Sequence, residues 1–181
     1  PTLHIEKDRD SGEILIRGIG EQQLDVMTEK IKRKFGVEII LKSPKVPYRE
    51  TIRGAIQAEG RHKKQTGGHG QFGHVWLKME PLPEGTGIEF VDSVVGGAVP
   101  RQYIPAVEKG LQECIKKGPL AHCQVVDMKV TLYDGSSHSV DSSELAFKMA
   151  TFQAFRKGML EAKPVLLEPI YQIEVNIPES Y

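Results

Sequence analysis

The residues best suited to chemistry lie in one run, Gln65-Thr66-Gly67-Gly68-His69-Gly70-Gln71-Phe72-Gly73-His74. Its glycines let a backbone turn tightly and come close to a partner, because no Cβ blocks positive φ or close approach. Arg61, His62, Lys63 and Lys64 lead in, and His69, Phe72 and His74 sit within the run. Cations that neutralise phosphate, an amide that reads a base edge and rings that stack suit a phosphate backbone with exposed bases.

The spacing Gly68-x-Gly70-x-x-Gly73 also raises nucleotide binding. A dinucleotide fingerprint needs a helix after the glycines to hold the pyrophosphate. Here Val75, Leu77 and Met79 alternate with His74, Lys78 and Glu80, the pattern of a strand. A kinase loop does lie between strands, but the chain has neither an H-R-D nor a D-F-G string. The plain alternative is a hairpin whose glycines serve only the turn. The basic lead-in and a second unusual loop favour an RNA contact.

That second loop is Asp134-Gly135-Ser136-Ser137-His138-Ser139-Val140-Asp141-Ser142-Ser143. Its Ser137, His138 and Asp141 have the residue types of a hydrolase triad, but a triad converges from separate elements beside an oxyanion hole. Turn and capping residues with one exposed histidine describe it better. His62, His69, His74 and His138 lack the short, closed ligand spacing of a zinc site, so exposed or RNA-contacting histidines are expected and no metal is assigned. No catalytic residue is assigned either.

Around these loops the chain reads as α+β. Residues 3–17 alternate as a hairpin, and Leu24, Met27, Ile31 and Phe35 recur at helical spacing up to a stop at Gly36. Residues 37–41 read as a strand, giving β-β-α-β. Lys42-Ser43-Pro44-Lys45-Val46-Pro47 is a connector and domain boundary. Beyond it come a long strand over residues 48–58, the glycine loop, the returning strand, and a third strand from 88. A helix follows with Ile104, Val107, Leu111 and Ile115 on one face.

Residues 126–132 alternate as a strand. Asp141 with Glu144 marks a helix start, and Leu145, Met149, Phe152, Phe155 and Met159 mark the apolar face of that helix. Residues 165–167 and 171–177 read as extended.

Basic and acidic residues, 24 of each, cancel, so any nucleic-acid contact must be local. No apolar run spans a bilayer and no signal peptide opens the chain. Cys114 and Cys123 lack C-x-x-C spacing and read as reduced, structural cysteines of a cytosolic protein. A start at Pro1 reads as mid-domain, so a fragment is expected.

Tyr48-Arg49-Glu50-Thr51-Ile52-Arg53, the glycine loop, and Val95-Gly96-Gly97-Ala98-Val99-Pro100-Arg101-Gln102-Tyr103-Ile104-Pro105-Ala106-Val107-Glu108-Lys109-Gly110 strongly resemble the fourth domain of translation elongation factor G. The run from Val130 to Glu144 resembles it again, and Lys163-Pro164-Val165-Leu166-Leu167-Glu168-Pro169-Ile170 resembles the start of the fifth domain. The resemblance covers essentially the whole chain.

It implies residues 1–46 as a truncated ferredoxin-like β-β-α-β remnant of the third domain and 47–164 as the fourth domain, with a left-handed β-α-β crossover. Residues 165–181 would begin a truncated fifth domain, with an exposed terminal strand on an otherwise monomeric fragment. It also implies an arm entering the small-subunit decoding site of the ribosome during translocation, in the cytoplasm. The tip residues meeting tRNA and mRNA would be Gly68, His69, Gly70, Gln71, Phe72, Gly73, Ser137 and His138, supported by Arg61, Lys63 and Lys64. Gln71 and His138 would be the principal contacts.

GTP and magnesium would belong to an N-terminal GTPase domain outside the fragment, which would itself bind no cofactor and catalyse nothing. Two departures stand out. His69 replaces a common arginine, exchanging a permanent cation for one that titrates near neutrality, and Gly20-Glu21-Gln22-Gln23-Leu24 replaces Gly-Glu-Leu-His-Leu. They fit an elongation-factor-G-like paralogue, acting in recycling for example, as well as the housekeeping factor. A tetracycline-resistance ribosomal protection protein is a more distant relative.

Overall fold

Alternating apolar and charged residues at the start of the chain form the expected hairpin, β1 (His4–Lys7) against β2 (Ile14–Arg17). The computed structural model describes residues 3–8, 12–65, 67–68 and 70–172. It divides into two units, residues 1–47 and 48–181.

In the first unit α1 (Glu21–Phe35) ends where Gly36 adopts φ 67°, its N–H donating to the Lys32 carbonyl at 2.9 Å. That left-handed closure and the cations Lys32, Arg33 and Lys34 in the last turn satisfy the helix C-terminus. The strand expected over residues 37–41 does not form, because among the described residues β1 and β2 pair only with each other. Apolar alternation supplies a face, but a strand also needs a ladder partner for its backbone groups. Val37 and Ile40 stay exposed, and α1 buries no residue. The unit is therefore β-β-α.

The second unit runs β3 (Arg49–Ile52), β4 (Ile56–Lys64), β5 (Gln71–Pro81), β6 (Ile88–Asp92), α2 (Ile104–Ile115), β7 (Gln124–Val125), β8 (Met128–Ser136), α3 (Glu144–Glu161) and β9 (Pro164–Leu167). Four strands form a sheet in the order β4-β5-β8-β6, antiparallel except for β6 and β8, which run parallel across the connection that holds α2. A smaller sheet has the order β7-β3-β9.

The single strand expected over residues 48–58 is thus two strands in two sheets. Arg53 and Gly54 donate their N–H groups to the carbonyls of Lys163 and Ala162 just beyond α3 (3.2 and 2.9 Å), which ends the ladder of β3 and turns the chain. The strand expected from residue 126 begins at Met128, since Asp127 has φ 55°. It continues to Ser136, so the first three residues of the expected serine-rich loop belong to β8. Residues 164–167 pair antiparallel with β3. Tyr171 is in no strand, and residues 173–181 lie outside the described residues.

The core lies between the four-stranded sheet and the helices, with Val75, Leu77, Met79, Met128, Val130 and Leu132 facing Val107, Leu111, Phe147 and Phe155. The expected apolar face of α3 is rotated. Phe155 and Met159 are buried, but Leu145 is 56% exposed, and Ala146, Phe147, Ala150, Thr151 and Ala154 complete the buried stripe.

Small residues sit there because helix and sheet nearly touch. A Cβ on Gly60 would lie 2.0 Å from the Ala150 carbonyl oxygen, and one on Gly73 would lie 2.4 Å from that of Ala146. Gly60→Ala should therefore cost about 3 kcal/mol, at the upper end of ordinary overpacking, read as a lower urea midpoint.

Glu50, fully buried, accepts N–H groups from Leu120, Ala121 and Cys123 at 2.8 to 3.0 Å and so fixes the loop between α2 and β7. Both cysteines are free thiols. Burial, with the Glu113 charge adding and Lys148 opposing, pushes the Cys114 thiol from 9.0 up to about 12. It therefore stays protonated where an exposed cysteine ionises, and only the thiolate is nucleophilic. Iodoacetamide at pH 8.5 should label Cys114 no faster than the chain unfolds, read by peptide mass spectrometry. The protonated thiol's contribution to stability should be lost as pH rises from about 9 towards 12.

Candidate nucleic-acid interface

The connection between β4 and β5 and the connection between β8 and α3 meet at one end of the second unit. Asp141 joins them twice: its Oδ1 accepts the Gly70 N–H (3.0 Å) and its carbonyl accepts the Phe72 N–H (2.8 Å). A Cβ on Gly70 would lie 2.9 Å from the Asp141 carboxyl, so the absence of a side chain there permits the contact. Phe72 and Ser142 form a parallel bridge beside it.

Asp141 is therefore not the helix cap. That role belongs to Ser143, whose Oγ accepts the Ala146 N–H at 3.2 Å.

The His138 loop is closed on itself. His138 donates its N–H to Ser142 Oγ (2.8 Å), and Ser142 returns its own to the His138 carbonyl (3.3 Å). Val140 and Asp141 donate their N–H groups to His138 Nδ1 at 3.3 and 3.2 Å. With Nδ1 accepting, the ring proton is placed on Nε2. The ring is 53% exposed. Tyr103 donates its hydroxyl to the Ser142 carbonyl (3.1 Å) and stacks on Phe147 at 4.7 Å, tying the loop to the core.

The expected tip residues divide. Gly68, Gly70, Ser137 and His138 lie in the two connections; His69 lies outside the described residues. Gln71, Phe72 and Gly73 open strand β5 instead of standing in a loop. Gln71 is half-buried, its Oε1 2.9 Å from His62 Nε2. Gly73 is buried against α3, so it sets the spacing of helix and sheet and offers no surface.

Arg61, Lys63 and Lys64 are exposed at the end of β4, with the Arg61 guanidinium 5.8 Å from the Phe72 ring centre. That distance is a cation–π contact. Phe72 is also 6.3 Å from the His138 ring.

His74, expected to be exposed or RNA-contacting, is held between Glu59 Oε1 (2.9 Å from Nε2) and Ser136 Oγ (2.7 Å from Nδ1). Among the described residues no three His, Cys, Asp or Glu side chains gather as metal donors. None of the described helices is long and apolar enough to cross a membrane.

The sequence does not single out Asp141 as a clamp. Its side-chain partner is 71 residues away, and nothing local marks such a pairing.

Comparison with known proteins fits this geometry. Residues 44–163 match the family described as elongation factor G, domain IV, and residues 1–43 match elongation factor G, domain III. The chain belongs to the elongation factor G family. An "Elongation factor G-like protein" of Thermotoga maritima is 54% identical over 180 residues, covering 99% of this chain and 26% of that protein. A crystal structure from Thermus thermophilus superposes with a TM-score of 0.81 at 46% identity, over 91% of this chain and 24% of the other. The chain thus spans about a quarter of the length of these relatives.

In elongation factor G terms the candidate site is one end of domain IV, and Asp141 is the residue that makes its two connections one surface. Asp141→Ala should remove the Gly70 half of the clamp while leaving the carbonyl bond to Phe72, at about 1.5–3 kcal/mol, the scale of a lost bond to a charged acceptor. Faster amide exchange at Gly70, with Val75 still protected, is the expected reading.

Proposed function

We propose that the chain is the ribosome-contacting arm of a translational GTPase, and that the end of domain IV meets tRNA and mRNA at the small-subunit decoding site to promote translocation in the cytoplasm. The observation that carries this is the clamp of Asp141 on Gly70 and Phe72, which presents His138, Phe72, Arg61, Lys63 and Lys64 together. The placed Nε2 proton of His138 provides a donor, and the lysines suit phosphates.

GTP and magnesium belong, in this proposal, to a part of the protein outside the present sequence. The segment itself positions RNA and does no bond chemistry.

A second role for the same arm is favoured by the name of the Thermotoga relative, "Elongation factor G-like protein". Together with His69 and Gln22-Gln23, it supports a paralogue working in recycling or another ribosomal task. A ribosomal protection protein would use an equivalent arm.

In the full-length protein, His138→Ala and Gln71→Ala should each slow tRNA–mRNA movement about tenfold or more, the size of one lost directed contact of about 1.4 kcal/mol. Ribosome-stimulated GTP hydrolysis should stay within about twofold of the parent, since the contact lies away from the hydrolysis step. Rapid-mixing translocation and phosphate-release assays read the two separately. Unchanged movement with normal hydrolysis in both variants would defeat the translocation role, and a splitting assay on post-termination ribosomes would then test recycling.

A further inference from the structure

The open face of the four-stranded sheet has an organisation of its own. Helix α3 packs on β4 and β5, and α2 packs on α3. Val75, Leu77 and Met79 of β5 are buried on that side. Alternation along a strand therefore places Phe72, His74 and Trp76 on the opposite face.

Starting at the tip, that row presents Phe72 beneath the Arg61 guanidinium and then Trp76, whose ring lies 6.3 Å from Tyr133 on the neighbouring strand at a 46° tilt. These rings are partly exposed. The outward positions of β5 are Phe72, His74, Trp76, Lys78 and Glu80, with no aliphatic residue among them.

Charge on this face changes with distance from the tip. At the far end Lys78 pairs with Glu80 (2.8 Å) and Lys129 with Glu89 (3.3 Å). In the middle His74 is held by Glu59 and Ser136. At the tip end Arg61 and Lys63, which pair across from His74 and Phe72, are exposed and have no ion pair among the described residues.

We infer that this face is a second RNA surface, along which a single strand leaving the tip runs over β5, stacking one base on Phe72 and another on the Trp76–Tyr133 pair while Arg61 and Lys63 neutralise its phosphates. Rings on the open face of a four-stranded sheet are a known way to hold splayed bases, and base–aromatic stacking tolerates any sequence because every base has a π face. Cations without an ion pair among the described residues at one end, and a β5 row with no aliphatic residue, fit RNA better than an apolar protein partner. The proposal rests on the tip being RNA-facing and shares Phe72, Arg61 and Lys63 with it, but it adds the Trp76–Tyr133 pair as a further contact with its own readout.

Trp76 is the sole tryptophan of the chain, so its fluorescence reports on this face alone. A dye-labelled oligouridylate of twelve nucleotides, titrated into the chain at low salt, should quench Trp76 emission over the same concentration range in which dye anisotropy rises. Trp76→Leu should weaken binding about tenfold, as losing one base–aromatic stack does, and Trp76→Phe should restore it to within about twofold. Circular dichroism checks that both variants are folded.

Binding seen by anisotropy with unchanged Trp76 emission and an unaffected Trp76→Leu variant would overturn the inference and leave the tip contact standing. No oligouridylate binding at low salt would also overturn it, while the tip contact is judged by the translocation assay.

Discussion

Helix α3 lies so close to β4 and β5 that backbone meets backbone, and the candidate interface depends on that contact. Gly60 and Gly73 leave no room for a Cβ against Ala150 and Ala146, and Ala154 continues the same small-residue seam. Ala146 stands in the first turn of α3, three residues after the Ser143 cap. Seating that turn on β5 brings the preceding loop within reach of the β4–β5 connection. A bulkier seam would lift the N-terminus of the helix and separate Asp141 from Gly70.

A second constraint is the satisfaction of polar groups that the fold buries. Glu50 answers three N–H groups of the loop after α2, and Asp141 answers Gly70 and Phe72 at the tip. Glu50 acts through its carboxylate alone and Asp141 through its carboxylate to Gly70 and its carbonyl to Phe72, each organising a connection that has no ladder of its own, in keeping with the rule that buried polar groups find partners. The His138 loop does the same with its own imidazole and the Ser142 hydroxyl. Preorganised in this way, the tip would lose less entropy in the proposed RNA contact than a free loop would.

The two surfaces proposed for RNA share Phe72 and Arg61 but differ in chemistry. The tip offers a histidine and an amide that can form directed hydrogen bonds, which suit a defined geometry of the bound RNA. The face behind it offers rings and cations, which suit a strand of any sequence. Such a division of labour would let one arm engage a structured region and the flexible segment leading from it.

Elements with a strong local period were legible in the chain alone. The hairpin, α1 with its Gly36 stop, the buried side of β5 and the apolar face of α2 follow from alternation, helical spacing and a glycine, all of which act within a few residues. The family likeness was equally legible, because long runs such as the one from Val95 to Gly110 match as they stand. What the sequence left open depends on contacts distant along the chain. Whether residues 37–41 become a strand depends on a partner edge, and whether residues 48–58 are one strand or two depends on carbonyls beyond residue 160. The face α3 buries is set by two glycines in other strands. Asp141 has the composition of a helix cap, and only the tertiary structure makes it a clamp, since its side chain was free to serve either end of a 71-residue separation. Local chemistry determined which groups were available for the proposed RNA contact, and the packing of α3 on the sheet decided which of them stand together.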